Sequence, residues 1–280
     1  MHVTLLTPDS SYDQFQDVWE ARIALYADLV APHGITLEPV PWTNARPTRP
    51  AWAQLAWGYH LQPARWETLL AAWPEDMLLL NPPGVLRWNS DKRYLDDLEA
   101  AGVPVVPTRF AGIANEAEIA AARAAFGTDE LVVKPRISAS ARSTTRVGPG
   151  DPAPNLADAM IQPFMPAVLN QGELSIFMFG GEPGHAVRKV AAPGDFRVQR
   201  EYGGAFTLVE PTGEELAVAR AAIAAAPQAP FYARVDMVPD PDARPRLMEL
   251  ELIEPDLYLD LAPDRGAGFA ALLAERLRAG

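Results

Sequence analysis

The chain of 280 residues contains no cysteine. Thiol nucleophiles, disulfides and cysteine-ligated zinc are therefore excluded, and any chemistry falls to oxygen and nitrogen groups. Basic residues are scarce: 24 Lys and Arg against 36 Asp and Glu give a formal net charge of −12, and no basic run tracks a phosphate backbone. Such a surface argues against a nucleic-acid partner. No apolar run approaches the roughly 20 residues that cross a bilayer. The first residues, MHVTLLTPDSSYDQF, lack the basic region and long apolar core of a signal peptide, so the expectation is a cytoplasmic protein without a membrane partner. His2, His33 and His185 show no metal-ligand spacing, and the phosphate-cradling P-loop signature is missing. Proline, at 28 residues, is about twice its usual share but is scattered, which implies stiff connections and not disorder.

What is present begins with alternating elements. Val3–Leu6 reads as a strand, and Phe15, Val18, Trp19, Ile23, Tyr26 and Val30 have helical spacing, with Gly34 as the stop. Thr36–Val40, Ala64–Trp73 and Met77–Leu80 continue as strand, helix and strand, predicting an α/β layer domain over residues 1–85. Asn89 or Ser90 is placed to cap a helix carrying Tyr94, Leu95 and Leu98, with Lys92 in its first turn and Gly102 at its end. A cation at that end opposes the helix dipole, which hints at a nearby anion. Asn115–Phe126 reads as a helix, and Leu131–Lys134 as a strand stopped by Pro135. Leu174–Phe179 and His185–Val190 read as a hairpin, with the basic group Arg188, Lys189, Arg197 and Arg200 and then Gly203 and Gly204, whose backbone can approach an anion closely.

The stretch Tyr232–Asp260 carries the clearest chemical pattern. Tyr232–Val238 and Arg246–Ile253 alternate like paired strands around a Pro/Asp-rich turn. Alternation puts Glu249 and Glu251 on one face, with Met248, Leu250 and Leu252 on the other, and Asp236 can face the acids from the partner strand. Two like charges about 5 Å apart repel by roughly 3 kcal/mol at an effective dielectric near 20, so these acids call for a counter-charge. A divalent cation and an arginine partner, Arg234 or Arg246, both satisfy that demand.

The segments LLNPPGVLRWNSDKRYLDDLEAAGVPVVPT, LVVKP, GELSIFMFGG, HAVRKVAAPGDFRVQREYGG and YARVDMV to MELELIEP, taken in this order, resemble the ATP-grasp superfamily. The likeness is nearest to RimK-like and glutathione-synthetase-like ligases, and in particular to the cycloserine-pathway O-ureido-serine cyclo-ligase family. It implies an ATP-grasp fold with an N-terminal α/β domain (1–85), a small central subdomain (86–162) and a C-terminal antiparallel-sheet subdomain (163–280). It also implies a carbon–nitrogen ligase that uses ATP and Mg²⁺, or Mn²⁺, to form an amide-type bond through an acyl-phosphate on a small amino-acid-like substrate, intramolecularly in the cyclo-ligase case. By this resemblance Lys92 and Lys134 hold phosphates, Gln162, Pro163, Phe164 and Met165 form the adenine hinge, and Glu173 matches the ribose acid. Arg188 and Arg197 match the catalytic arginines, Asp236, Glu249 and Glu251 the metal ligands. Arg197, Gly203, Gly204 and Glu254 fall at the substrate. A homo-oligomer and a lid over Ile137–Thr145 are further expectations, although that loop lacks the glycine common in such lids, and Gly58 stands where the cyclo-ligases tend to carry an acid. The alternatives are an ATP-grasp kinase and a nucleotide-binding regulator without chemistry.

Overall fold

A computed structural model describes residues 1–139, 143–192, 198 and 203–279. Three sheets organise it. The first is parallel, with β1 (His2–Thr7) flanked by β2 (Thr36–Pro41) on one side and by β3 (Ala51–Trp52) and β4 (Leu79–Leu80) on the other. Helix α1 (Gln16–Val30) provides the crossover between β1 and β2, and Gly34, at φ 71°, makes the left-handed turn back into β2. Helix α2 (Pro63–Ala71) lies between β3 and β4. The two-residue β3 is too short to leave an alternation signal, so the sequence suggests three strands where four are found. Trp42, Trp52 and Trp66 are fully buried, Trp42 and Trp66 meeting edge-on at 5.6 Å.

Helices α3 (Pro83–Asn89) and α4 (Tyr94–Ala100) follow. Neither Asn89 nor Ser90 caps α4 as expected. Asn89 ends α3 and donates its amide to the Leu250 carbonyl at 2.7 Å, while Ser90 accepts from the Trp66 indole at 2.9 Å. Both polar groups satisfy buried tertiary partners, which outweighs a local cap. Lys92 accordingly lies in the turn between α3 and α4, outside the helix.

The second sheet is antiparallel, in the order β5 (Arg109–Ala114), β8 (Leu156–Pro163), β6 (Leu131–Pro135), β7 (Thr145–Val147). Helix α5 (Glu116–Phe126), capped by Asn115 and closed by Gly127, buries Ile119 and Ala122 against Leu131, Val133 and Ile161.

The third sheet has the order β11 (Ala205–Leu208), β10 (Glu182–Val190), β9 (Glu173–Phe179), β12 (Tyr232–Pro239), β13 (Pro245–Glu251). Its two faces divide the work. One packs Leu174, Ile176, Met178, Val235 and Leu250 against α3, α4 and α7 (Gly213–Ala224), the last held at its start by a Thr212/Glu215 capping box. The other carries Phe177, Phe179, Val187 and Tyr232, which share a core with β1, α1 and α8 (Ala267–Ala279). Helix α4 shares a core with the third sheet and with Met160 of the second, and α8 returns to pack with the first layer. A short helix, α6 (Ala167–Asn170), links the second and third sheets.

Candidate active site

The second core-facing surface of the third sheet turns polar at one end. Strand alternation puts Glu173 and Ser175 of β9, Lys189 of β10, Arg234 and Asp236 of β12, and Glu249 and Glu251 of β13 on one face. The hairpin register pairs Asp236 with Glu249 and Arg234 with Glu251. All of these but Ser175 line a cavity of about 610 Å³ bordered by the second and third sheets and by segments between the strands of the first.

One end of the cavity is apolar, built by Val106, Val132, the segment Gln162–Met165, Val168 and Met248. Its walls are fixed: the Phe164 N–H donates to the Glu130 carbonyl at 2.9 Å, the Gln162 amide donates to Thr108 Oγ1 at 2.9 Å, and Arg146 stacks 3.9 Å above the Phe164 ring. Met248 was expected on the face away from the acids. A bulge between Asp236 and Met237 in the hairpin register inserts Met248 as an extra residue, and it turns into the cavity instead.

The middle is charged. Five carboxylates, Glu173, Asp236, Glu249, Glu251 and Glu254, and four cations, Lys92, Lys134, Lys189 and Arg234, line it. Arg234 Nη2 lies 2.9 Å from Asp236 Oδ2 and 2.5 Å from Glu251 Oε1. Lys189 pairs with Glu173 and lies 3.3 Å from Asp236, which also accepts from the Ser175 hydroxyl. Lys92 donates to the Ser138 carbonyl at 2.7 Å and lies 3.2 Å from Glu249, with Lys134 3.9 Å from the same carboxylate. Burial works against every one of these charges. For Asp236, burial is outweighed by Arg234 and Lys189, and the carboxyl is held at about 2. At Glu249 burial is likewise outweighed, by Lys92 and Lys134, and the pKa falls. At Glu251 burial prevails over Arg234 and, with Asp236 and Glu249 adding repulsion, pushes the carboxyl up to about 8. Burial also lowers Lys134, with help from Lys92.

The other end is aromatic and mixed in charge. Tyr12, Phe15, Trp57, Tyr59, His60 and Tyr258 border it, together with Arg22 and Asp256, which form an ion pair at 2.6 Å. Gly58 has φ +84°, and a Cβ there would lie 2.8 Å from the Tyr12 ring, so the glycine lets Tyr12 close this wall.

No protein-family profile matches the chain. The cycloserine biosynthesis protein DcsG of Streptomyces lavendulae is 34% identical over 230 residues, 71% of this chain and 74% of that protein. The chain belongs to the ATP-grasp ligases. A crystal structure of D-cycloserine synthetase DcsG superposes on this ligase with a TM-score of 0.83 at 27% identity, covering 99% of this chain and 100% of that one. The ATP-grasp ligase PsnB, solved with a phosphomimetic precursor variant, Mg and ADP, shares the fold with a TM-score of 0.68 at 14% identity over 99% and 97% of the two chains. The protein is thus an ATP-dependent ligase forming an amide-type bond, on an α/β ATP-grasp fold.

The ligase brings most of its expected site residues together. Lys92, Lys134, Gln162, Pro163, Phe164, Met165, Glu173, Asp236, Glu249, Glu251 and Glu254 all line the cavity. Arg188 does not. It alternates with Lys189, so it leaves β10 on the opposite face, where it lies 3.5 Å from Glu215 and donates to the Gln171 carbonyl. Gly203 and Gly204 are not among the lining residues either, because they lead into the edge strand β11. Arg197 lies outside the described residues, as do residues 140–142 of the expected lid; Ser138, Ala139 and Thr144 of that loop border the cavity. The three expected metal ligands do not form a ligand cluster as placed, since among the described residues no group of three such donors is arranged to hold an ion. Arg234, considered in the sequence only as a structural partner, occupies the space between Asp236 and Glu251. Arg234 sits two residues from Asp236, a spacing that puts both on one face, and Lys189, read in the sequence only as part of a basic group, faces the cavity from β10. No helix among the described residues is long and apolar enough to cross a membrane.

Proposed function

We propose that the cavity binds ATP and a small amino-acid-like carboxylate together and joins that carboxylate to a nitrogen nucleophile. The observation that carries this is the continuity of the cavity. An apolar slot, a charged centre and an aromatic chamber follow one another without a partition. That sequence of surfaces suits adenine, polyphosphate and substrate in turn. Lys92 and Lys134 would grip the phosphates, Gln162–Met165 the base and Glu173 the ribose. Transfer of a γ-phosphoryl group asks chiefly for alignment and charge neutralisation, and buried lysines supply both without a nucleophilic side chain.

The residues present fit a hard divalent cation. Glu249 and Glu251 project from alternate positions on one face, and the five carboxylates lining the charged centre outnumber its four cations. Those two acids would hold Mg²⁺, or Mn²⁺ by the same oxygen chemistry, while Asp236 is already saturated by Arg234, Lys189 and Ser175. A cation held there would supply charge neutralisation for the phosphates gripped by Lys92 and Lys134. The relative PsnB has been solved with Mg and ADP, which supports the assignment.

The substrate carboxylate attacks the γ-phosphorus, ADP departs, and the nucleophile then displaces phosphate from the acyl carbon. Similarity to DcsG favours an intramolecular version in which one molecule carries both groups, as in O-ureido-serine. The test is release of ADP from ATP and Mg²⁺ across a panel of amino acids and ureido compounds, O-ureido-serine included, with mass detection of the product. ADP release together with a product lighter than its reactants by one water supports the reading; a phosphorylated product would establish a kinase instead.

A further inference from the structure

Among the described residues, the charged side chains of the cavity pair off with one exception. Glu173 and Asp236 meet Lys189, Asp236 and Glu251 meet Arg234, and Glu249 meets Lys92 and Lys134. Beyond them, Asp256 meets Arg22. The carboxylate of Glu254 lines the same cavity, and among the described residues no side chain hydrogen-bonds or ion-pairs with it; it accepts only from its own backbone N–H. A half-buried carboxylate left without a partner is costly and asks for an explanation.

The backbone that presents Glu254 is fixed on both sides. Leu252 donates to Asn89 Oδ1 at 2.9 Å and accepts from the Asn81 amide at 2.7 Å, the Tyr232 hydroxyl donates to the Ile253 carbonyl at 2.8 Å, and the Gln54 amide donates to the Pro255 carbonyl. Four buried side chains thus clamp the segment from Leu252 to Pro255, so Glu254 lines the cavity from a rigid support, at a boundary marked by Lys92 and Arg234 on the charged side and Tyr59 on the aromatic side, all of which it faces electrostatically. That boundary is where the acyl carbon and its attacker would meet in the function proposed above.

We propose that Glu254 is the base that accepts the proton of the nitrogen nucleophile in the amide-forming step. In that step the nitrogen lone pair forms the C–N bond at the acyl carbon. The carbon–oxygen bond to phosphate breaks, phosphate leaves with the electron pair, and the N–H proton passes to the Glu254 carboxylate. The other acids of the charged centre are poorly suited, since each is ion-paired with a cation that occupies its oxygens. The electrostatics agree. Burial pushes Glu254 up to about 7 against the pull of Lys92 and Arg234, with Glu249 adding repulsion, and a base near the working pH is the effective one. Glu251, Tyr59 and Tyr232 also face it electrostatically.

Hydroxylamine separates this role from phosphate binding, because it is neutral at pH 7.5 and attacks acyl-phosphates without help. Wild type and Glu254→Gln are compared with ATP, Mg²⁺ and the amino-acid and ureido panel, with and without hydroxylamine. The expected result is hydroxamate formation by Glu254→Gln within about 3-fold of wild type, and loss of amide product on the order of 100-fold. Glu254→Asp should retain part of the amide activity with a shifted acidic limb of its pH profile. Equal loss of hydroxamate and amide, or amide formation at the wild-type rate, overturns the assignment. Absence of hydroxamate from wild type itself would instead remove the acyl-phosphate reading on which it rests.

Discussion

Arg234 and Asp236 stand two residues apart on the same face of β12, and the guanidinium engages both oxygens of the carboxylate at 2.9 to 3.1 Å while its Nη2 also reaches Glu251. The strand period makes this contact unavoidable once both residues face the cavity. Glu173, Asp236, Glu249 and Glu251 are held by the protein's own cations.

Replacing Arg234 by methionine removes the counter-charge of two buried acids. Breaking one partner of such a pair costs about 3–5 kcal/mol. The Tm measured without metal should fall accordingly, and Mg²⁺ should recover more of it in Arg234→Met than in wild type. Equal Mg²⁺ responses would show that the arginine and the ion do not share the acids.

The pH dependence follows from the acids whose pKa rises on folding. Glu251, at about 8, and Glu254, at about 7, bind protons in the folded state that the unfolded chain releases near its ordinary carboxyl range. Their contribution is complete below that range and is lost as pH rises through 7 to 8. Asp236, held at about 2, acts oppositely, its contribution disappearing only as the pH falls toward 2. Thermal unfolding of the metal-free protein should therefore show Tm falling between pH 5 and 8, with Glu251→Gln flattening the slope. Binding of Mg²⁺ with ATP at pH 7 should release protons, read as a dependence of calorimetric heat on buffer ionisation enthalpy.

Neighbouring basic residues should behave differently. Lys189 is buried among Glu173 and Asp236, so Lys189→Met is expected to lower the Tm strongly. Arg188→Ala breaks only a partly exposed pair with Glu215, worth about 0–1 kcal/mol, and should leave ADP release within about 3-fold of wild type. A large catalytic loss in Arg188→Ala would restore that residue to the reaction.

Lys134 lies near Glu249 in the charged centre and, among the described residues, has no hydrogen bond as short as that of Lys92 to Ser138. Lys134→Met should weaken ATP binding by on the order of 30-fold, the effect of about 2 kcal/mol for one buried charge contact, with a smaller loss of Tm than Lys92→Met. Isothermal titration with ATP and Mg²⁺ checks the first part and calorimetric melting the second.

Alternation was the informative signal in the sequence. It placed Asp236, Glu249 and Glu251 on one face, and Lys134 and residues 162–165, which follow strand patterns in the sequence, line the same cavity. The same rule, applied to adjacent Arg188 and Lys189, would have separated them; proximity in sequence grouped them instead. Met248 escaped because a bulge adds a residue that no composition signal announces. Tyr12, Phe15, Arg22, Trp57 and Tyr258 reach the cavity from loops and from the start of α1, positions set by tertiary packing. The buried amides Gln54, Asn81 and Asn89 were also missed, since a search for charges overlooks neutral clamps whose partners lie more than 150 residues away.

The most direct test of the account follows oxygen. A substrate from the ureido and amino-acid panel, labelled with ¹⁸O in its carboxylate, is turned over with ATP and Mg²⁺, and the released phosphate is analysed by mass spectrometry. The account predicts transfer of one ¹⁸O atom from carboxylate to phosphate, because the acyl-phosphate breaks at its carbon–oxygen bond. Release of ADP with unlabelled phosphate would contradict it.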